Sequence, residues 1–444
     1  MRNTPTLARA LASTALVGAM ALAAAPARAQ STEAQLKMLQ EQVKALQAQI
    51  EALSKQQEQA AAEKAAPVKV EAKGAPRFSG DGFKDFKIRG RLQSDFGTVS
   101  GSDRLGDPGL GSTTEIRRAR LGVEGKIEAF KYKFEVDYAD NEVDIADALV
   151  SWDMGPANLV IGNQKTTNSM EEMTSSRFTA FLERGGFTDA FGFERMLGVS
   201  LDFSGKNYGL LAGVYSDGGL SGNDEAAGYA LSARGYVAPR FEGGFAHLGA
   251  SVLYRDQGAA PTRYRNRPLL HTTNTRFIDA NLGALGVDND VTFGLEAAAV
   301  MGPLWAASEW NFLKANLGTP VTGADNSFSA SGGFAHVGWF LTGEQRGYKD
   351  GVWDRTKPNA PLGEGGMGAF AVNLGLDYTD LSDAGVGVAG GRQTGYLASL
   401  MWIPQAYVRF IAQYGYIDIS ADRSLNGVPV DNVSTFGLRA QIDW

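Results

Sequence analysis

Three arginines recur at alternate positions in "TRYRNR", as Arg263, Arg265 and Arg267. A guanidinium stays charged at any relevant pH, and its fork of donors matches phosphate or carboxylate oxygens. Such a row suits an oxyanion; it equally suits a solvated basic loop lying against lipopolysaccharide. A second polar row lies in "FKIRGRLQSDF" (86–96), where Lys87, Arg89, Arg91, Gln93 and Asp95 alternate with Phe86, Ile88, Gly90 and Leu92. Between residues 163 and 195 the charges are mixed: Lys165, Arg177, Arg184 and Arg195 against Glu171, Glu172, Glu183, Asp189 and Glu194, a net of −1. Nothing points to covalent or metal chemistry. No serine stands with a histidine in a nucleophile motif, His247, His271 and His336 are far apart, and there is no cysteine.

These side chains need strands to hold them. In "YKFEVDY" (132–138) aromatic and β-branched residues alternate strictly with Lys133, Glu135 and Asp137, the period of a strand with one apolar and one polar face. "FGLRAQIDW" (436–444) repeats the pattern and ends the chain on Trp444. Further segments lie near 115–127, 144–154, 157–165, 195–203, 207–215, 228–238, 244–255, 291–301, 304–314, 366–380, 394–403 and 406–418, with weaker ones near 273–281 and 326–342. Short turns such as 204–207 and 404–405 join many of them. Connections around 97–113, 163–194, 255–273 and 342–365 are long. That asymmetry belongs to an outer-membrane barrel, with apolar faces toward lipid and charges toward the lumen. The segments number seventeen; both ends on one side demand an even number, so the expectation is a 16-stranded antiparallel transmembrane β-barrel over 84–444. A soluble sandwich needs fewer strands.

The N-terminus reads as exported. Arg2 and Arg9 precede an Ala-rich apolar run over 11–25, and Ala27-Arg28-Ala29 offers a cleavage site, giving a signal peptide over 1–29. No later run approaches the ~20 apolar residues of a membrane helix. Leu36, Leu39, Val43, Leu46, Ile50 and Leu53 form an a/d seam, so 30–59 reads as a short α-helical coiled coil, placed in the periplasm, with an Ala-, Lys- and Pro-rich linker over 60–83. The net charge of −7 argues against nucleic acid as a partner.

The chain resembles the outer-membrane porins selective for phosphate and polyphosphate. The resemblance rests on "GRLQSDF" (90–96), "EIRRARLGVEGK" (115–126), "FKYKFEVDYA" (130–139), "MTSSRFTAFLER" (173–184), "YRDQGAAPTRYRNRP" (254–268), "VMGPLWAASEW" (300–310) and "FLTGEQRGYK" (340–349), in that order. It implies a homotrimer of barrels in outer-membrane lipid, each narrowed by an inward-folded loop, here 163–194. That loop is too long for a hairpin and has few of the apolar residues an independent core requires. The resemblance also implies an arginine ladder through Arg91, Arg117, Arg118, Arg263, Arg265 and Arg267. Lys131, Ser175, Ser176 and Arg184 match phosphate-holding positions, and Lys314 matches a lumenal lysine. Strand alternation turns Arg91 and Arg118 inward but Arg117 outward, and Glu183-Arg184 reads equally well as a loop-fixing ion pair.

Three departures weaken strict phosphate selectivity: Glu172, preceded by Glu171, stands at a family lysine, Ala146 at a family aspartate, and His271 at the next ladder arginine. A carboxylate beside an anion's path raises the barrier to its passage. The expectation is therefore a porin, without cofactor, for passive diffusion of small anions such as phosphate. The alternatives are a general porin of weak ion preference, or a barrel that anchors an envelope tether.

Overall fold

The computed structural model describes residues 32–64, 68–80, 83–101, 111–216, 228–256, 258–319, 326–420, 424–425, 428–429 and 431–444; the expected signal peptide lies outside them. The chain divides into two units, Met1–Pro67 and Val68–Trp444. In the first, one helix, α1 (Thr32–Lys64), leaves all six seam residues from Leu36 to Leu53 more than half exposed. No helix among the described residues is long and apolar enough to cross a membrane.

The second unit is a closed barrel of sixteen antiparallel strands. In order they are β1 (Phe83–Gly101), β2 (Gly111–Ile127), β3 (Phe130–Asp137), β4 (Asp144–Asp153), β5 (Ala157–Lys165), β6 (Arg195–Ser204), β7 (Tyr208–Ser216) and β8 (Tyr229–Val237). They continue with β9 (Gly244–Asp256), β10 (Val287–Met301), β11 (Leu304–Leu317), β12 (Ser327–Phe340), β13 (Ala369–Asp383), β14 (Val388–Gln405), β15 (Val408–Ile419) and β16 (Asn432–Asp443). Pairing of β16 with β1 closes the ring, and Trp444 extends it by exchanging backbone hydrogen bonds with Gly90 at 3.1 and 3.3 Å.

The wall is inside out relative to a soluble protein. Leu92, Phe134, Val150 and Leu210 are exposed on the outer surface, while Arg91, Glu135, Asp147 and Glu309 are buried within. A closed ring leaves no unpaired strand edge facing lipid, and alternation supplies an apolar exterior.

Several expectations change. The seventeenth segment, 273–281, is not a barrel strand: Ile278–Asn281 pairs with Arg263–Asn266 in a small hairpin inside the loop between β9 and β10. The weak segment 326–342 is a full strand, β12. Part of the expected linker is ordered, since the helix runs to Lys64 and Lys69–Lys73 pairs with Ala75–Gly80, which in turn pairs with β1. The long connection near 342–365 follows β12, so residues 341–368 lie on the side of the short turns.

Both long inserts pack into the barrel. The segment between β5 and β6, 166–194, carries an apolar underside the sequence reading underestimated: Phe181, Leu182, Phe187 and Phe191 are buried, and Phe187 stacks on Phe334 of β12. Wall carboxylates take up the backbone donors of its two helical turns. Met170 N donates to Glu296 (2.9 Å), Glu171 N to Glu309 (2.9 Å) and Gly186 N to Asp377 (2.8 Å). These N–H groups have no partner within their own short turns, so the acceptors both satisfy them and fix the loop. Gly437 on β16 makes room for the loop, because a Cβ there would lie 2.3 Å from Leu182 Cδ1 and 2.9 Å from Leu270 Cδ1.

Candidate functional site

Two spaces against the inward loop adjoin each other. The larger, about 650 Å³, is bounded by β1–β6 and the loop; the smaller, about 190 Å³, lies between the same loop and the insert after β9. Glu172, Arg184 and Phe193 border both, which makes them the neck between the two. Eight lysines and arginines line the larger space against six aspartates and glutamates.

The acids there are shared. Glu135 lies 3.0 Å from Arg120 and 3.5 Å from Arg91; Asp147 lies 2.6 Å from Lys133 and 2.9 Å from Arg195. Glu172 lies 3.2 Å from Lys165 and 3.5 Å from Arg184. Each of these three carboxylates bridges two cations, Arg120 also pairs with Asp137 at 2.7 Å, and the space as a whole keeps a surplus of two positive charges. Arg118 goes further: its Nη1 donates to Gln93 Oε1 at 2.9 Å, and among the described residues no carboxylate lies within 4.0 Å of it.

Arg117 points inward after all. Gln93 pairs with Arg118 but Ser94 pairs with Ile116, so a β-bulge at Arg117 brings two consecutive arginines to the lumen. Arg117 then forms a bidentate pair with Glu183 of the loop, both contacts at 3.0 Å, and Arg439 holds the same carboxylate at 2.9 Å. Glu183 does fix the loop by ion pairing, but through Arg117 and Arg439 and not through Arg184. Arg184 instead donates to Glu171 O (2.9 Å) and Thr174 O (2.7 Å), closing the C-terminal end of the first helical turn. Ser176 Oγ accepts from Arg91 Nη1 at 2.6 Å, and Ser175 Oγ accepts from Arg177 Nε at 3.2 Å.

The remaining candidates lie elsewhere. Lys131 does not line the large space; it sits beside the Glu128–Ala129 turn, half exposed and 3.1 Å from Asp153. Lys133, two residues on and on the same face, takes the position beside the loop. Lys314 is a correction: it is exposed on the outer face with Trp310 and Phe312, since alternation on β11 turns Leu313 and Ala315 inward. Arg263 pairs with Asp279 on the exposed side of the small hairpin, and Arg265 is exposed beside it. Arg267 borders the smaller space, 3.7 Å from Asp189. Arg120, Lys133 and Arg195 were not singled out from sequence, although the alternation that marked Arg118 also marks Arg120.

The two loop glutamates differ. Burial pushes the Glu171 carboxyl up from its ordinary value, more than Arg184 and Arg346 pull it down. Burial also acts on Glu172, but Arg184 and Lys165 outweigh it and hold the group below its ordinary value. On acidification Glu171 should therefore lose its charge first, while Glu172 stays ionised. The loss of one negative charge favours anions, so reversal potentials should shift toward anion preference as pH falls from neutral, before ordinary carboxylates titrate. Glu171→Gln should diminish that shift; a pH profile unchanged from wild type in this variant would refute the assignment.

A family model described as phosphate-selective porin O and P matches residues 86–444. The chain belongs to that porin family. An uncharacterized protein of Caulobacter vibrioides is 39% identical to this porin over 398 residues, spanning 86% of the chain and 79% of the relative. Porin O of Pseudomonas aeruginosa is 26% identical over 402 residues, 80% of the chain and 87% of the relative. The anion-selective porin from Comamonas acidovorans superposes with a TM-score of 0.52 at 10% identity, covering 81% of the porin and 99% of that structure. OmpT of Vibrio cholerae gives 0.52 at 13%, covering 83% and 99%. These two likenesses concern the fold. Family and barrel together place this porin in a bacterial outer membrane.

Proposed function

We propose that this porin passes small anions by passive diffusion, phosphate- and polyphosphate-like solutes among them. The observation that carries the reading is the lining of the larger lumenal space, where eight lysines and arginines face six acids and Glu135, Asp147 and Glu172 each bridge two cations, in a chain whose net charge is −7. Guanidinium and ammonium groups spaced along a path let an anion move between weak sites, as conduction requires. The Porin O relative and the anion-selective porin of the same fold support it. The neck favours a second reading, a general porin with weak preference, because Glu172 puts a carboxylate beside both spaces. Reversal potentials in a chloride gradient, followed by titration of the chloride current with phosphate, separate the two. Anion preference with phosphate block supports the first, near-zero potentials without block the second, and a cation-selective pore overturns both.

In the same reading residues 1–29 are removed on export, the short turns face the periplasm, and three barrels associate. The exposed seam of α1 then joins neighbouring copies as a short coiled coil. β-Branched Val43 and Ile50 at a with Leu at d favour a dimer in isolation, so the larger barrel interface sets the stoichiometry and the coil follows. Leu46→Asp should abolish association of the helix while barrel trimers survive on a semi-native gel. Monomeric barrels in that variant would show that the coil holds the assembly together.

A further inference from the structure

A third space, about 30 Å³, lies where the inward loop meets the 341–368 connection and the ends of β14–β16. Arg177, Arg346, Arg355 and Arg409 border it, against Asp354 and Asp443. Asp443 serves two of the four: Arg355 pairs with its Oδ2, and Arg177 Nη1 lies 3.6 Å from the same atom. Among the described residues, neither Arg346 nor Arg409 has a carboxylate within 4.0 Å.

The four converge on a single residue of the loop, Phe178, and its successor. Arg177 and Arg355 each place their guanidinium carbon 5.3 Å from the Phe178 ring centroid, and Arg346 donates to Phe178 O at 3.3 Å. Arg409 donates to Thr179 O (2.6 Å) and to Ser176 O (3.3 Å). Both unpaired arginines are deeply buried, Arg346 at 8% and Arg409 at 6% exposure. The Arg346 guanidinium lies in the corner formed by the Trp305 and Trp353 rings, 3.7 and 3.8 Å from their centroids. Among the described residues the Arg409 Nε–H finds no acceptor. Burial, with the Arg409 charge beside it, pushes Arg346 down to about 9 even though Glu171 opposes the shift.

Buried charge without a counter-charge in contact is disfavoured, and a buried donor without an acceptor adds to the penalty. Water can satisfy the donor but not the surplus charge. The volume admits a particle of about water or chloride size. We propose that this space is a binding site for one chloride-sized monovalent anion, which neutralises the arginine cluster and latches the inward loop to the 341–368 connection. The site is separate from the neck, and it does not rest on the selectivity reading. Its consequence is that the geometry of the narrow zone depends on an anion that does not itself permeate through this space.

The test uses the full-length protein in detergent. At fixed ionic strength, the barrel should melt a few degrees higher in sodium chloride than in sodium gluconate, whose anion is too large to enter. Arg409→Gln should remove that difference. Crystals of the wild-type protein grown in sodium bromide should show an anomalous peak beside Arg409 Nε, which keeps the proposal testable if the variant does not fold. Equal melting in the two salts, a full chloride increment retained in Arg409→Gln, or a cavity without bromide would each overturn the site.

Discussion

Glu172→Gln is expected to strengthen the block of chloride current by phosphate roughly tenfold. Glu172 borders both lumenal spaces and bridges Lys165 and Arg184 at 3.2 and 3.5 Å, so it occupies the place a passing anion would take between those cations. Its charge persists at working pH, because Arg184 and Lys165 outweigh the effect of burial. A unit charge about 6 Å from the anion is worth about 0.7 kcal/mol at the dielectric constant of water and about 2.8 kcal/mol at an effective value of 20, a factor of roughly three to a hundred. Glutamine keeps the shape and a carbonyl acceptor for the two cations while removing the repulsion. Lysine, the residue the family resemblance implies here, is a poorer test: Lys165 and Arg184 already point at this position, and a third cation would displace the loop. Titration of single-channel chloride current with phosphate reads the effect. If Glu172→Gln and wild type are blocked alike while both keep the same oligomeric state, Glu172 does not line the path.

How far the sequence led depended on what period two encodes. It encodes a face, so strand type, the inverted wall and the inward direction of Arg91 and Arg118 were legible from alternation alone. It does not encode depth. Lys131 and Lys133 share a face, but they differ by about 6.6 Å along the strand, and this decides which of them reaches the loop. Nor does it survive a bulge: one extra residue at Arg117 turned an apparently outward side chain into a partner of Glu183. Lys314 shows the converse, where motif matching put a lysine in the lumen and strict alternation on β11 put it outside. Segment 273–281 failed because a short hairpin packed inside a loop carries the same strand-like pattern as a wall strand. The side on which 341–368 lies followed only from counting strands correctly, and the count turned on that hairpin.

Removing two arginines of the larger space that no carboxylate holds closely should have the opposite effect to Glu172→Gln. Arg118 donates to Gln93, and Arg91 donates to Ser176 with only a 3.5 Å approach to Glu135. Most other cations around the large space are committed to Asp147, Glu172 or Glu135 and have less charge to offer a solute. In Arg91→Ala/Arg118→Ala, Glu135 keeps Arg120 alone, and the space loses two positive charges from a surplus of two. The pore should then lose its anion preference, with reversal potentials near zero or toward cations at every salt concentration, and phosphate block should fall at least tenfold. The triple variant Arg263→Ala/Arg265→Ala/Arg267→Ala should behave differently. Arg263 and Arg265 are exposed on the hairpin, where salt screens them over a Debye length of about 10 Å at 0.1 M, so they raise local anion concentration mainly at low ionic strength. That variant should lose preference below 0.1 M salt and regain wild-type behaviour near 1 M. A salt-independent loss in the triple variant, or retained selectivity in the double one, would move the selective element from the β1–β2 wall to the mouth.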